Sequence, residues 1–162
     1  MDNNCPFCRR VGNIPKRVFF ESDGWFAFLD EKPLTYGHTI LAKRLPPEGG
    51  CPEGLSAEHL SGHDRALNDT VERLRNYYEW TDTQPKDFLF ASLRGNIKHF
   101  HTHIIPLWLE DEARWRADFE GTGRLFEFLG FLDATRAKTN RSSEEQKVLE
   151  SYLVAMACAM RG

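Results

Sequence analysis

Between residues 99 and 106 the chain reads His-Phe-His-Thr-His-Ile-Ile-Pro, with histidine at the alternate positions 99, 101 and 103. A β-strand turns successive side chains to opposite faces. An extended backbone here therefore puts His99, His101 and His103 on one face and Phe100, Thr102 and Ile104 on the other. The chain has 6 histidines in 162 residues, and at that frequency such a run arises by chance in roughly 0.01 of chains this long. A row of imidazoles serves packing poorly, so the run marks a strand that carries chemistry. Two chemistries compete. Alternate histidines on a strand can supply metal ligands, or one imidazole can act as a nucleophile towards phosphorus while its neighbours hold the phosphate oxygens. No Asp or Glu lies within six residues of the three histidines on either side, whereas Arg94 and Lys98 precede them. That surrounding suits a phosphate better than a cation.

The rest of the first half also reads as strands. Lys16–Glu21 and Gly24–Asp30 flank the turn signal Ser-Asp-Gly and predict a hairpin; Gly37–Lys43 is a third strand. The Pro- and Gly-rich LPPEGGCPEG is loop. Leu60, Leu67, Val71, Leu74 and Tyr78 recur at helical spacing and predict one helix over Ser56–Tyr78. Asp87–Leu93 and Lys98–Ile105 complete five strands. Past Pro106 the pattern turns helical. Ser142 and Glu145 have capping-box spacing, ahead of an apolar stripe of Val148, Leu149, Tyr152, Leu153, Met156 and Met160 that suits core or a dimer contact. This order gives an α+β domain with a mostly antiparallel five-stranded sheet, one central helix and C-terminal helices.

Composition closes off several classes. Basic residues number 21 and acidic residues 24, a net charge of −3, which argues against a nucleic-acid polymer as partner. The longest near-continuous apolar stretch, Tyr152 to Met160, is too short to span a bilayer, and MDNNCPFCRR carries no signal-peptide pattern, so the expectation is a cytoplasmic protein with no membrane partner. Four cysteines are too few for a disulfide scaffold of this size. Cys5 and Cys8 have metal-ligand spacing. Zinc binding is the favoured reading, ahead of structural thiols and of a redox pair, for which Cys5 leaves no room for a preceding strand. His59 and His63 share a helix face without the Glu of a zinc-protease motif and read as a solvated face. Trp108 and Trp115 suit either a lid or packing.

Three stretches in register resemble the histidine triad family of nucleotide hydrolases and transferases. These are the run His99–Pro106, with Thr102 its one polar intruder; the segment from Phe28 through Asp30, Pro33, Gly37 and His38 to Lys43; and the opening Cys5-Pro-Phe-Cys8 followed by Ile14-Pro15. The resemblance spans residues 5–106. It implies a catalytic core over 1–106 and a helical extension over 107–162 packed on the same domain. It also implies a homodimer, and a covalent nucleotidyl-histidine formed when His101 attacks the α-phosphate of a nucleoside 5′-phosphate derivative. By the same resemblance His103 contacts the phosphate or leaving oxygen and His38 supports the triad from the next strand. Asp30 takes the ribose hydroxyls, and Phe28 and Phe7 line the base pocket. The stretch Ser92-Leu-Arg94-Gly-Asn96-Ile-Lys98 is shorter than the family's phosphate loop and lacks its Gly-Gln-Ser. Asn96 stands where the hydroxyl residue would be, and Arg94 adds charge. In bacterial relatives the cysteine pair binds structural zinc with the first triad histidine and a histidine after the upstream segment. Here that implies Cys5, Cys8 and His99; Pro46 holds the remaining position, leaving Cys51 as the fourth ligand. The preferred substrates are of the dinucleoside polyphosphate type. The alternatives are a nucleoside phosphoramidase with the same machinery, a non-enzymatic nucleotide-binding module, and a hydrolase with its metal at the triad.

Overall fold

A computed structural model of the chain describes Cys5, Phe7 and residues 16–31, 33–44, 57–92, 99–108 and 143–161. Their elements, in chain order, are β1 (Val18–Ser22), β2 (Trp25–Leu29), β3 (Thr39–Lys43), α1 (Ala57–Leu60), α2 (His63–Trp80), β4 (Asp87–Ala91), β5 (His101–Leu107) and α3 (Ser143–Arg161). The strands form one sheet in the order β1-β2-β3-β5-β4. Every neighbouring pair is antiparallel. The expected α+β architecture with a five-stranded antiparallel sheet is therefore the observed one.

The hairpin joining β1 and β2 follows from two residues. Asp23 and Gly24 both have positive φ, 49° and 75°, as a tight turn with the right-handed sheet twist requires. Alternation then divides the sheet into two unlike faces. One face carries Phe20, Trp25, Ala27, Leu29, Leu41, Phe88 and Ile104, packed with Leu74 and Tyr78 of α2 and Leu153, Met156 and Ala157 of α3. The opposite face carries Phe26, Phe28, Ile40 and Ala42, joined by Val18 and covered by Cys5 and Phe7. Each large apolar side chain withdrawn from water in these layers contributes about 1.5–3 kcal/mol. His101 and His103 pair with Ala42 and Ile40, so they extend the second face, away from the helices.

Two sequence expectations change. The single helix over Ser56–Tyr78 is interrupted: α1 ends at Leu60 and α2 starts at His63. Gly62, at φ 87°, supplies the left-handed residue between them. The strand expected from Lys98 begins only at His101 and runs to Leu107. Ser142 of the capping-box pair and residues 109–142 of the expected helical extension lie outside the described residues. In α3, Leu153, Met156 and Met160 are core, whereas Val148 and Tyr152 are exposed. Among the described residues no helix is long and apolar enough to cross a membrane.

Candidate active site

The site assembles where the turn between β2 and β3 meets the start of β5. That turn folds back on itself. The Asp30 amide donates to the His38 carbonyl at 2.9 Å, and the His38 amide donates to the Thr35 carbonyl at 3.1 Å. Gly37 makes the reversal possible. Its φ is +80°, and a Cβ there would collide with the buried Tyr78 hydroxyl. The turn thereby delivers Asp30 and His38 to one spot, with Asp30 Oδ2 3.4 Å from His38 Nδ1.

Hydrogen bonding to groups of fixed polarity assigns the imidazole tautomers. The Leu34 amide donates to His38 Nδ1 at 3.2 Å, so Nδ1 is an acceptor and the proton sits on Nε2. His38 Nε2–H then donates to His103 Nδ1 at 2.9 Å. His103 in turn carries its proton on Nε2, the nitrogen facing away from His38. The two rings stack at 5.1 Å. His101 behaves differently. Its Nδ1 lies 2.7 Å from the His99 carbonyl, which can only accept. Nδ1 is therefore the donor, and the lone pair lies on Nε2. The His101 ring meets His103 edge to face at 4.9 Å and Phe7 at 4.9 Å. Burial holds the His101 pKa below its ordinary value of 6.5, opposed by its hydrogen bond to the His99 carbonyl and by the Asp30 carboxylate. The imidazole is accordingly neutral at pH 7, with its nucleophilic nitrogen uncommitted to a proton.

His99 has a third arrangement. Its Nε2 lies 2.8 Å from the Lys43 carbonyl, so Nε2–H donates there and the lone pair is on Nδ1. Nδ1 points at Cys5 Sγ, 3.6 Å away. Two ligands of one tetrahedral zinc, bound at about 2.3 Å (sulfur) and about 2.0–2.1 Å (nitrogen), lie about 3.5 Å apart. The Cys5 and His99 donors thus fit a shared zinc in separation and in tautomer. Burial also lowers the His99 pKa, opposed by the Lys43 carbonyl and reinforced by His101, which favours the neutral, ligating form. Cys8 and Cys51, the other candidate ligands, lie outside the described residues. Among the described residues no group of three or more donors forms.

The structure brings His38, His99, His101, His103, Asp30, Phe7, Phe28 and Cys5 into one region. Phe7 contacts the rings of His99 (5.5 Å) and Phe28 (5.9 Å) as well as His101. Phe7 and Phe28 are both buried, and together they form the apolar floor beside the triad. Arg94 and Asn96 lie outside the described residues, as does Trp115. Trp108 packs: its ring meets Tyr78 edge to face at 5.2 Å, and its Nε1–H donates to the Tyr36 carbonyl at 3.2 Å. His63 is not part of a solvated face. Its side chain is only 13% exposed and lies against Trp25, Phe100 and Thr102. The His59 side chain lies outside the described residues.

No family model matches the chain. Individual proteins do. An uncharacterised 16.1 kDa HIT-like protein of Mycoplasma pneumoniae is 28% identical over 152 residues, covering 88% of this chain and 87% of its own. An Arabidopsis thaliana protein named adenylylsulfatase HINT3 is 27% identical over 126 residues, 70% of this chain and 60% of that one. A solved HIT family protein from Bacillus anthracis superposes with a TM-score of 0.58 at 22% identity, covering 87% of this chain and 100% of that one. These relatives and solved structures, named as HIT or histidine triad proteins, support the histidine triad family for this chain. A zinc-bound histidine triad family protein from Mycobacterium smegmatis shares the fold at TM-score 0.52 and 18% identity, over 96% of this chain and 97% of that one. The chain carries the three alternate histidines and the Gly37-His38 turn that meets them.

Proposed function

We propose that this chain is a nucleotide hydrolase or transferase that attacks the α-phosphate of nucleoside 5′-phosphate derivatives of the dinucleoside polyphosphate type. The carrying observation is the His101 tautomer: Nδ1–H is held by the His99 carbonyl and the lone pair is on Nε2. Nε2 bonds to the α-phosphorus and the bond to the leaving group breaks, giving a nucleotidyl-histidine. The leaving oxygen accepts a hydrogen bond from His103 Nε2–H, the outward end of the chain that runs from the Leu34 amide through His38, and departs as the anion or with a proton taken from solvent. Water then attacks the same phosphorus, gives its proton to solvent, and frees His101 and the nucleoside monophosphate. Splitting one displacement into two, with donors already oriented, lowers the barrier of each.

In this reading Asp30 accepts the ribose hydroxyls, a role suited to a carboxylate. Phe7 and Phe28 back the base, and Arg94 and Asn96 serve the phosphates. Structural zinc at Cys5 and His99, completed by Cys8 and Cys51, would tie the N-terminal segment to the start of the triad strand. The separation of the first two donors supports it, as does the zinc-bound relative of the same fold. A cytoplasmic homodimer completes the proposal; the outer edge of β4, with Phe90 exposed, supports the pairing.

Turnover of a diadenosine polyphosphate, adenosine phosphoramidate and adenylyl sulfate, followed as released adenosine monophosphate, tests the reading. The third donor is included because of the adenylylsulfatase relative. Monophosphate from at least one donor, lost in His101→Ala, is expected, and the fastest donor identifies the leaving group. No release from any donor would overturn the proposal in favour of a binding module.

A further inference from the structure

The triad strand carries a second polar line on its other face. Thr102, 2% exposed, places a hydroxyl where the surrounding pattern is apolar. That hydroxyl lies 2.9 Å from His63 Nε2 and 2.8 Å from Ser92 Oγ. His63 Nδ1 is 3.2 Å from Asp64 Oδ1. With the carboxylate ionised, Asp64 accepts from Nδ1–H, so the neutral ring offers Nε2 to the Thr102 hydroxyl, and Thr102 Oγ1 accepts from Ser92. The donors therefore run one way, Ser92 to Thr102 to His63 to Asp64. Trp25 and Phe100 hold the His63 ring edge to face at 5.0 and 5.6 Å. The left-handed residue Gly62 ends α1 and lets α2 restart with His63. A helix break, a histidine and a polar intruder in the triad thus all serve one hydrogen-bonded line.

We propose that His63 is a positioning residue for the reaction, acting through Thr102 and Ser92 on the backbone that carries the triad. This rests on the function proposed above. Thr102 stands between His101 and His103, and Ser92 is the residue that follows β4, the strand paired with β5. The line fixes the depth at which β5 lies on α2 and the register of the β4 end beside it. A shift of the triad backbone misaligns His101 Nε2 with phosphorus, and misplacement by about 1 Å can cost as much as 100-fold in rate. The residues in the line touch no reacting atom, so the effect falls on kcat rather than on substrate affinity.

The test compares Thr102→Val, an isostere lacking the hydroxyl, with Thr102→Ser, which keeps it, in the full chain. Thr102→Val is expected to lower kcat roughly 10-fold and leave KM within about 2-fold, with Thr102→Ser restoring most of the rate. A His63→Gln variant, which retains a side-chain hydrogen-bonding group, should fall between them. Nitrogen-15 imidazole spectra give a readout independent of turnover: the His63, His101 and His103 resonances should move in Thr102→Val and stay near wild type in Thr102→Ser. If kcat and the His101 and His103 resonances are unmoved in folded Thr102→Val, the proposal is overturned. Equal loss in Thr102→Ser and Thr102→Val also overturns it, since the hydroxyl would then be irrelevant. If the wild type turns over no donor, the proposed function and a positioning role in its reaction fail together, and the spectra alone decide whether the line orients the triad.

Discussion

His38, His99, His101 and His103 show how one side-chain type acquires different duties from its hydrogen-bond partners. A backbone amide makes His38 a donor towards His103. A backbone carbonyl holds the His101 proton on Nδ1 and leaves the lone pair on Nε2. The carbonyl of Lys43 turns the His99 lone pair towards Cys5. His103→Ala should reduce kcat by roughly 100-fold or more for donors with a poor leaving group, and by less where the leaving group departs unprotonated. Steady-state kinetics across donors of graded leaving-group acidity check this; an equal loss for all of them would remove His103 as the donor to the leaving oxygen. Burial also lowers the pKa values of His99 and His101 below 6.5. The folded state then binds fewer protons than the unfolded chain as pH falls. The resulting stability is full above the unfolded value and is lost as pH drops through the folded values. Urea titrations of the metal-free protein at about pH 7.5 and about pH 5 should show a lower midpoint at the acid value. At this scale the histidine run was legible in advance, because period two is a property of any strand. The tautomers were not, since they depend on which carbonyl or amide the fold brings to each ring.

Secondary-structure elements place these groups, and their interruptions matter as much as their lengths. Gly37 combines a φ of +80° with the Tyr78 hydroxyl beneath it. Gly37→Ala should destabilise by about 1–3 kcal/mol and weaken turnover as well, because the turn that carries His38 must shift. Denaturant unfolding together with kcat measures both; an unchanged midpoint with normal activity would show that the turn tolerates the methyl group. Short apolar runs bounded by turn signals placed all five strands to within a few residues. Sequence periodicity fused α1 and α2, because the apolar positions Leu60, Leu67 and Val71 keep helical spacing across the Ser61-Gly62 break. The Ser-Gly pair was the available signal. His63 was misread for the same reason: on a continuous helix it shares a face with His59, whereas after the break it lies behind the triad strand.

For the whole molecule, the sheet separates stability from chemistry. One face packs α2 and α3, and the other presents the histidines. Met156, 1% exposed, is central to the packed side. Met156→Ala should cost about 2–5 kcal/mol in denaturant unfolding without altering the leaving-group preference; a neutral result would mean that α3 adds little to the core. Arg161 joins the end of α3 to the carbonyls of Lys16 and Val18, next to the N-terminal segment that supplies Cys5 and Phe7. If Cys5 and His99 share a zinc, a strong chelator should lower thermal stability while leaving His101 competent until unfolding. Scanning calorimetry with metal analysis checks this, and a metal-free protein with the same transition would argue for plain thiols. Residues 5–106 carry the pattern on which the resemblance to the histidine triad family rests. The packing of α3 was only partly readable, because an apolar stripe such as Leu153, Met156 and Met160 fits a core and an interface equally well. Covalent nucleotidylation of His101 is the step on which the proposed function turns, and intact mass spectrometry after brief incubation with a diadenosine polyphosphate or adenosine phosphoramidate tests it directly. A mass increase of one adenylate is expected in the wild type and none in His101→Ala. Monophosphate release without any adduct, or an adduct that persists in His101→Ala, would contradict it.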